Sequence, residues 1–229
     1  MSDLNVCCTA GNTALEYAAI CLRNAGVMVT NVPTPETTHL LLPVPTRCFD
    51  TLPENVVIVG GNLHCLPGYQ VIDLLKDPQY LMENAAITAR CAPKLVNCQW
   101  NDLPVLILGW GRIGKALAQE LQELGALVTV AARKPLDVDS ARAMGHSGLP
   151  LSEAQTALPQ FAVVFNTIPA MVLSLGGAPG CVAVELASKP GIVGTNIIDG
   201  RGLPGRLAPE ASGELIARRF LALAMEGLK

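Results

Sequence analysis

The sequence predicts an α/β protein, because short apolar runs alternate with longer segments that carry apolar residues at helical spacing. Half of the 229 residues are hydrophobic, and only 15% are charged. This hydrophobic content is sufficient for a large core and indicates a further buried surface, such as a subunit interface. Near the middle of the chain, a turn with three closely spaced glycines joins an apolar run to a helical segment. Together these observations predict parallel sheets covered by helices.

The first 98 residues are predicted to form the N-terminal domain, which carries the substrate or partner site. Residues 5–8 predict a strand, and residues 13–26 predict a helix that ends at Gly26. Four apolar residues share one face of this helix: Leu15, Ala18, Ala19 and Leu22. Further strands are predicted at 27–32, 39–44 and 56–60, followed by a helix that runs to Pro93. This order of elements indicates a small α/β unit with a parallel sheet.

The second domain is predicted at 99–206. The boundary is placed near residues 98–104, where apolar residues follow neither the helical nor the strand spacing. A strand at 105–108, a helix at 113–124 and a strand at 127–132 make a βαβ module of about 30 residues. Further strands are predicted at 161–166, 181–186 and 195–199. Residues 207–229 predict a separate helix that packs at the domain boundary, with Pro209 in its first turn. Its apolar stripe consists of Leu215, Ile216, Phe220, Leu223 and Ala224.

The turn in "VLILGWGRIGK" fits two phosphate-binding patterns. Residues 109–115 match the G-x-x-x-x-G-K loop of nucleoside triphosphatases, but Ala116 stands where that loop needs a hydroxyl for magnesium. Gly109, Gly111 and Gly114 match the dinucleotide pattern G-x-G-x-x-G, with the required strand before it and helix after it. We therefore predict a Rossmann domain in the C-terminal part and a smaller, flavodoxin-like N-terminal domain. The predicted pyrophosphate contacts are Gly109, Trp110, Gly111, Arg112, Ile113 and Gly114.

The end of the second strand of this module decides which dinucleotide is preferred. NAD-binding proteins usually place an acid there, about 20 residues after the glycines, to bind the ribose 2′-hydroxyl. This chain has Arg133 and Lys134 instead. Because a guanidinium can hold a 2′-phosphate with parallel hydrogen bonds, we predict NADP(H) in preference to NAD(H). The alternative is that Arg133 is a solvated residue at a strand end.

Ligands of open α/β sheets bind beyond the carboxyl ends of the strands, which selects further candidates. After strand 161–166, the predicted contacts to the nicotinamide half are Asn166, Thr167, Ile168 and Pro169. The alternative is a plain strand-to-loop turn in which the Asn satisfies backbone groups. For a small carboxylate substrate, the predicted contacts are Arg90, Ser188, Lys189 and Arg206.

No catalytic pair is evident in the sequence. His64, in the loop segment 60–64, and Lys189 are the candidates for proton transfer. Residues 9–12, like residues 60–64, end a predicted strand of the first domain. Both segments are expected to face the same ligand-binding cleft.

Charge and cysteine content exclude several partners. The net charge of −3 without a basic cluster argues against nucleic acid. The eight cysteines include no C-x-x-C pair, so we expect no metal site, no disulfide framework and a cytoplasmic location. The N-terminus shows no signal-peptide pattern, and the apolar run at 161–175 is interrupted by Asn166 and Pro169, so no membrane association is expected.

Four segments in the C-terminal part resemble the bacterial dipicolinate synthase A family. In chain order they are "VLILGWGRIGKALAQELQELGALVTVAAR", "FNTIPAMVL", "ELASKPG" and "GLPGRLAPEASGELIA". The chain departs from the family pattern at Arg90, which replaces an acid, at Glu185, which replaces an Asp, and in an abbreviated region at 191–202. These departures concern the substrate more than the cofactor.

The resemblance implies two domains arranged as in D-2-hydroxyacid dehydrogenases and the oxidation of a dihydrodipicolinate-type ring to the pyridine dicarboxylate with a nicotinamide cofactor. It also implies that the partner is a flavoprotein-like second subunit, and we further expect a homodimer. Two alternatives stay open. One is a non-catalytic NADP(H)-binding regulatory or accessory subunit. The other is a shikimate-dehydrogenase-like enzyme, although the first domain shows no Lys–Asp pair at a recognisable spacing.

Overall fold

A computed structural model describes the chain at residues 4–8, 11–46, 52–64, 66–178 and 180–226. It divides into two compact units: the first unit is Met1–Asn84 with Pro204–Lys229, and the second unit is Ala85–Leu203. The division falls inside a helix, whereas the sequence places the domain boundaries after residues 98 and 206. Part of the predicted segment 9–12, namely Thr9 and Ala10, lies outside the described residues.

The N-terminal part of the chain forms a five-stranded parallel sheet. Its elements are β1 (Asn5–Cys8), α1 (Thr13–Asn24), β2 (Met28–Thr30), β3 (His39–Leu41), β4 (Val57–Gly60), β5 (Val71–Asp73) and α2 (Pro78–Cys91), with 3-10 turns at Leu74–Lys76 and Ala92–Leu95. The strand order is β2-β1-β3-β4-β5. This is the order of flavodoxin-like sheets, so the predicted fold of this part is confirmed. The strand β5 is not predicted, because its apolar run consists of only Val71 and Ile72 before Asp73.

The following part of the chain contains a six-stranded parallel sheet. Its elements are β6 (Pro104–Leu108), α3 (Arg112–Glu123), β7 (Leu127–Ala132), α4 (Pro135–Ala143), β8 (Ser147–Pro150), α5 (Ala154–Ala157), β9 (Val163–Asn166), β10 (Leu173–Ser174), β11 (Val182–Glu185), β12 (Ile192–Val193), β13 (Ile197–Asp199), α6 (Leu203–Leu207) and α7 (Pro209–Glu226). The order is β8-β7-β6-β9-β11-β13, and β10 pairs with β12 separately. Counted from β6, this is the 3-2-1-4-5-6 order of Rossmann folds, which confirms the predicted class.

The residue types of β6, α3 and β7 explain why these elements form. Four of the five β6 residues are buried, and α3 buries one stripe: Gly114, Leu117, Ala118 and Leu121. Both patterns are visible in the sequence, and β7 has the predicted bounds. The elements α4 and β8 are not predicted. Leu136 is exposed on α4, and β8 contains Gly148 and Pro150, so neither element shows a regular period. Pairing with β7 makes β8 a strand.

The C-terminal helix α7 belongs to the first unit, where it packs against α1. The predicted stripe is confirmed for Leu215, Ile216, Phe220 and Ala224, which are buried. At Gly213 the two helices are so close that a Cβ would lie 2.4 Å from the Ala14 carbonyl oxygen. No helix in the described ranges has the length and apolar character needed to cross a membrane.

An ion pair joins α7 to the start of α2 within the first unit. The Arg219 Nε donates to Asp77 Oδ2 at 2.6 Å, and Arg219 Nη1 donates to Gln79 Oε1 at 2.7 Å. The Asp77 carboxylate also accepts from the amides of Gln79 and Tyr80, both at 3.2 Å. Burial by itself raises the pKa of Asp77, but the hydrogen bonds from Arg219 and the two amides outweigh it and lower this pKa.

Candidate functional site

The glycine turn, residues 109–114, leaves β6 and opens α3 at the carboxyl edge of the second unit's sheet. Gly109 has a φ of +100°, which L side chains rarely adopt. A Cβ on Gly109 would lie 2.6 Å from Thr167 Oγ1, and a Cβ on Gly114 would lie 2.2 Å from the Gly109 carbonyl oxygen. The first glycine therefore permits the turn, and the last one lets α3 pack directly on it.

Gly111, the middle glycine, has different surroundings. Among the described residues, no atom outside its two chain neighbours and the adjoining helix backbone lies within 4 Å of the position that its Cβ would occupy. Gly111 is the N-cap of α3, and no side chain hydrogen bond caps this helix. The first amides of an α-helix have no acceptor inside the helix, and the helix dipole favours an anion beside them. The turn thus combines available donors with open space, as a bound diphosphate would require.

The side chain of Trp110 points into the protein. It is 6% exposed, and its Nε1 donates to Ser140 Oγ at 3.1 Å. Its ring meets His146 edge-on with centroids 5.9 Å apart, and the Lys115 ammonium lies 5.9 Å from the Trp110 ring centroid. The indole therefore anchors the glycine turn to α4 and the segment after it. A cofactor contact by Trp110 would have to come from its backbone.

Arg133 and Lys134 follow β7 at the same edge of the sheet. Leu108 at the end of β6 pairs with Ala131, so the two cations come immediately after the strand beside the glycine turn. Both side chains are exposed, and Lys134 is the N-cap of α4. This is the position that the sequence assigns to the 2′-phosphate, and the assignment stays a prediction.

The loop after β9 packs over the glycine turn. The amide of Thr167 and its hydroxyl both donate to the Leu108 carbonyl, at 3.0 and 2.8 Å. Thr167 and Ile168 are half-buried, and Pro169 is exposed. The hydroxyl oxygen of Thr167 keeps its acceptor capacity while it donates to Leu108.

Two buried polar side chains, Asn166 and Glu185, meet at the ends of β9 and β11. Asn166 has no exposed surface and Glu185 is 4% exposed. The Asn166 Nδ2 donates to Glu185 Oε1 at 2.7 Å and to the Ile168 carbonyl at 3.0 Å, while its Oδ1 accepts from the Ile168 amide at 2.9 Å. Glu185 also accepts from the amides of Ala187 at 3.2 Å and Gly191 at 2.7 Å. We call this arrangement the Glu185–Asn166 cluster.

Asn166 is completely buried, and its side chain holds the loop after β9 through both backbone groups of Ile168, which matches the alternative that it satisfies backbone groups. Its contact to the ribose stays a prediction. From the sequence, Glu185 stands out only as a departure from a family pattern. The sequence offers one other signal for Glu185, which is its position at the end of a predicted apolar strand. A carboxylate buried at such a position needs several hydrogen-bond donors around it.

The predicted substrate contacts are distributed over both units. Ser188 and Lys189 are exposed in the loop after β11, beside the Glu185–Asn166 cluster. Arg90 is exposed in the last turn of α2, and Arg206 is exposed in α6. His64 is exposed after β4 in the first unit. Within the described ranges, no three His, Cys, Asp or Glu residues are grouped so that they could hold a metal ion.

The sequence itself is similar to that of a known protein. Dipicolinate synthase A of Bacillus subtilis (strain 168) is 30% identical over 134 residues, which are 53% of this chain and 45% of that protein. The matched stretch therefore spans less than half of the relative's length. No family model matches the chain.

Solved structures extend the similarity in fold over almost the whole chain. Dipicolinate synthase A from Bacillus halodurans has a TM-score of 0.80 at 22% identity and covers 96% of this chain and 97% of its own. Its counterpart from Bacillus subtilis has a TM-score of 0.82 at 21% identity and covers 99% and 97%. A transhydrogenase from Sinorhizobium meliloti has a TM-score of 0.71 at 16% identity and covers 90% and 79%. The predicted resemblance is thus confirmed: this chain is similar in sequence to dipicolinate synthase A over 53% of the chain, and it shares the fold of the solved dipicolinate synthase A structures.

Proposed function

We propose that the second unit binds NADP(H) and that the protein is an oxidoreductase similar to dipicolinate synthase A. The observation that carries this proposal is the glycine turn, where Gly109 and Gly114 are closely packed while Gly111 faces open space at the uncapped start of α3. The amides of this turn would bind the diphosphate. Arg133 and Lys134 at the end of β7 would bind the 2′-phosphate.

The proposed substrate is a dihydrodipicolinate-type ring. Its oxidation transfers a hydride to the oxidised nicotinamide and a proton to solvent, so that the products are NADPH and the aromatic pyridine dicarboxylate. Because aromatisation makes this step favourable, the main task of the protein is to align the two rings and exclude water. Ser188 and Lys189 are the proposed carboxylate contacts in the second unit. Arg90 and Arg206 are further candidates for the carboxylates, and His64 or Lys189 for the proton.

Partners of the chain are proposed from its relatives. The Bacillus subtilis relative is named as one subunit of dipicolinate synthase, which supports assembly with a second polypeptide. We propose a flavoprotein-like second subunit, self-association into a homodimer and a cytoplasmic location. Co-purification with the product of a neighbouring flavoprotein gene would test the first of these.

The second candidate function is a non-catalytic NADP(H)-binding subunit. It is favoured by the Glu185–Asn166 cluster, because both polar groups at the ends of β9 and β11 are engaged inside the protein. Adding dihydrodipicolinate and NADP⁺ separates the two candidates. An increase in the absorbance of reduced nicotinamide supports the enzyme. Binding of NADPH without turnover, alone or with the second subunit, supports the accessory role.

The choice of cofactor depends on Arg133. Arg133→Ala is expected to weaken NADPH binding by about tenfold to a hundredfold, the contribution of one or two charge-assisted hydrogen bonds. NADH lacks the 2′-phosphate, so its affinity should change little. Calorimetric titration of both cofactors measures the difference. Arg142→Ala is the control, because Arg142 is an exposed arginine of α4 that pairs with Asp139. Equal losses for both cofactors would contradict the phosphate assignment.

A further inference from the structure

We infer that Glu185 is a positioning residue that sets the geometry of the nicotinamide half of the cofactor site. The inference rests on the proposed function, since it assumes that NADP(H) binds at the carboxyl edge of the second sheet. Glu185 is buried behind the loops that carry the exposed residues of this edge. It would therefore act through these loops and would not touch the cofactor.

The carboxylate of Glu185 joins two loops. One follows β9 and is held through Asn166, whose side chain bonds both the amide and the carbonyl of Ile168. The other follows β11 and is held through the amides of Ala187 and Gly191. Both loops are thus attached to the same carboxylate. Replacing one of its acceptor oxygens would release at least one of these attachments.

The two loops also contact each other closely at Gly191. The Gly191 carbonyl accepts from the amides of Val172 at 2.8 Å and Leu173 at 3.2 Å. A Cβ on Gly191 would lie 2.4 Å from the Ala170 carbonyl oxygen and 2.5 Å from Asn166 Nδ2. Such close backbone packing leaves the two loops little room to adjust when one of the hydrogen bonds that Glu185 accepts is lost.

The position of this cluster in the sheet determines which half of the cofactor it affects. A Rossmann sheet consists of two halves that each bind one mononucleotide. The glycine turn and Arg133 lie in the half formed by β6, β7 and β8, which would hold the adenosine phosphates. Glu185 and Asn166 lie in the other half, on β11 and β9. A defect in the cluster should therefore act on the nicotinamide half selectively.

Glu185→Gln is a sharp test because it is nearly isosteric and replaces one acceptor with a donor. The Glu185 Oε1 accepts from Asn166 and Ala187, and its Oε2 accepts from Gly191. Whichever way the new amide turns, its NH₂ group faces at least one N–H. Asn166 cannot compensate by rotation, because its Oδ1 already accepts from the Ile168 amide.

The experiment compares two probes by calorimetry. NADPH occupies both halves of the site, whereas adenosine 2′,5′-bisphosphate lacks the nicotinamide mononucleotide half. Glu185→Gln is expected to weaken NADPH binding by about tenfold, which corresponds to roughly 1.4 kcal/mol or one hydrogen bond. Its affinity for adenosine 2′,5′-bisphosphate should stay unchanged. Glu153→Gln is the matched control, because Glu153 is an exposed carboxylate of the same unit.

Each result has a defined meaning. Equal losses for both probes, or no loss for either, would overturn the positioning role of Glu185. If the Gln variant does not fold, Glu185→Asp is measured instead, because it keeps both acceptor oxygens on a shorter side chain. The ratio of its affinities for NADPH and adenosine 2′,5′-bisphosphate is then compared with that of the wild type. If the wild-type protein binds neither probe, the proposed function fails and the inference fails with it. Binding by the wild type without a selective effect at Glu185 refutes the inference alone.

Discussion

Gly111→Val is expected to abolish the binding of NADPH and NADH while the protein keeps its fold. The valine side chain would enter the open space above the turn, where a diphosphate must approach the amides at the start of α3. The backbone of Gly111 has φ −83° and ψ −168°, which a valine adopts without strain. We expect at least about a hundredfold loss of affinity, or roughly 2.7 kcal/mol, by calorimetry.

The control for this variant is Gly180→Val. Gly180 precedes β11 at the amino edge of the same sheet, and here too no described atom outside its chain neighbours lies within 4 Å of the Cβ position. Gly180→Val should bind NADPH like the wild type. Both variants should show wild-type circular dichroism. Wild-type affinity in Gly111→Val would mean that the glycine turn does not hold the diphosphate, and the proposed function would lose its main support.

Arg219→Met is expected to lower the free energy of unfolding by about 3 kcal/mol, because it leaves the carboxylate of Asp77 buried without its cation. The side chain of Arg219 is 11% exposed and that of Asp77 is 6% exposed, so water has little access to the carboxylate. The aliphatic part of methionine fills much of the same space. Urea unfolding of the full chain at neutral pH, followed for each unit's transition, measures the effect.

Arg218→Met is the matched control, since Arg218 is the preceding residue of α7 and also pairs with a carboxylate of α2. Its partner Glu83 is much more exposed, and the side chain of Arg218 is 47% exposed. Exposed pairs contribute about 0–1 kcal/mol, so this substitution should cost far less. Equal costs for the two variants would show that burial is not what makes the pair of Arg219 and Asp77 important.

The destabilisation in Arg219→Met should also depend on pH. The pKa of Asp77 in the folded protein lies below its ordinary value of 3.8. A lowered folded pKa contributes stability that is present above the unfolded pKa and is lost as the pH falls through the folded pKa. The difference between Arg219→Met and the wild type should therefore be largest near neutrality and shrink below pH 3.8. A difference that is constant down to acid pH would contradict this assignment.

Local residue types determine the part of the structure that could be predicted from the sequence. The strand, glycine turn and helix from β6 to β7 are visible in the sequence as an apolar run, three glycines at a fixed spacing and an amphipathic stripe. The buried faces of α1 and α7 follow in the same way from apolar residues at helical spacing. Arg133 and Lys134 could be placed at the sheet edge because they come directly after a predictable strand. None of these features needs knowledge of distant contacts.

The tertiary structure decided the features that depend on neighbours remote in sequence. The strand β8 forms because β7 offers it hydrogen-bonding partners, and α7 joins the first unit because Gly213 allows close contact with α1. Trp110 is placed inside the protein by Ser140 and His146. Asn166 and Glu185 meet only because β9 and β11 are adjacent strands in the sheet. Periodicity encodes which face of an element is buried, whereas the partner of a buried polar group depends on which elements become neighbours.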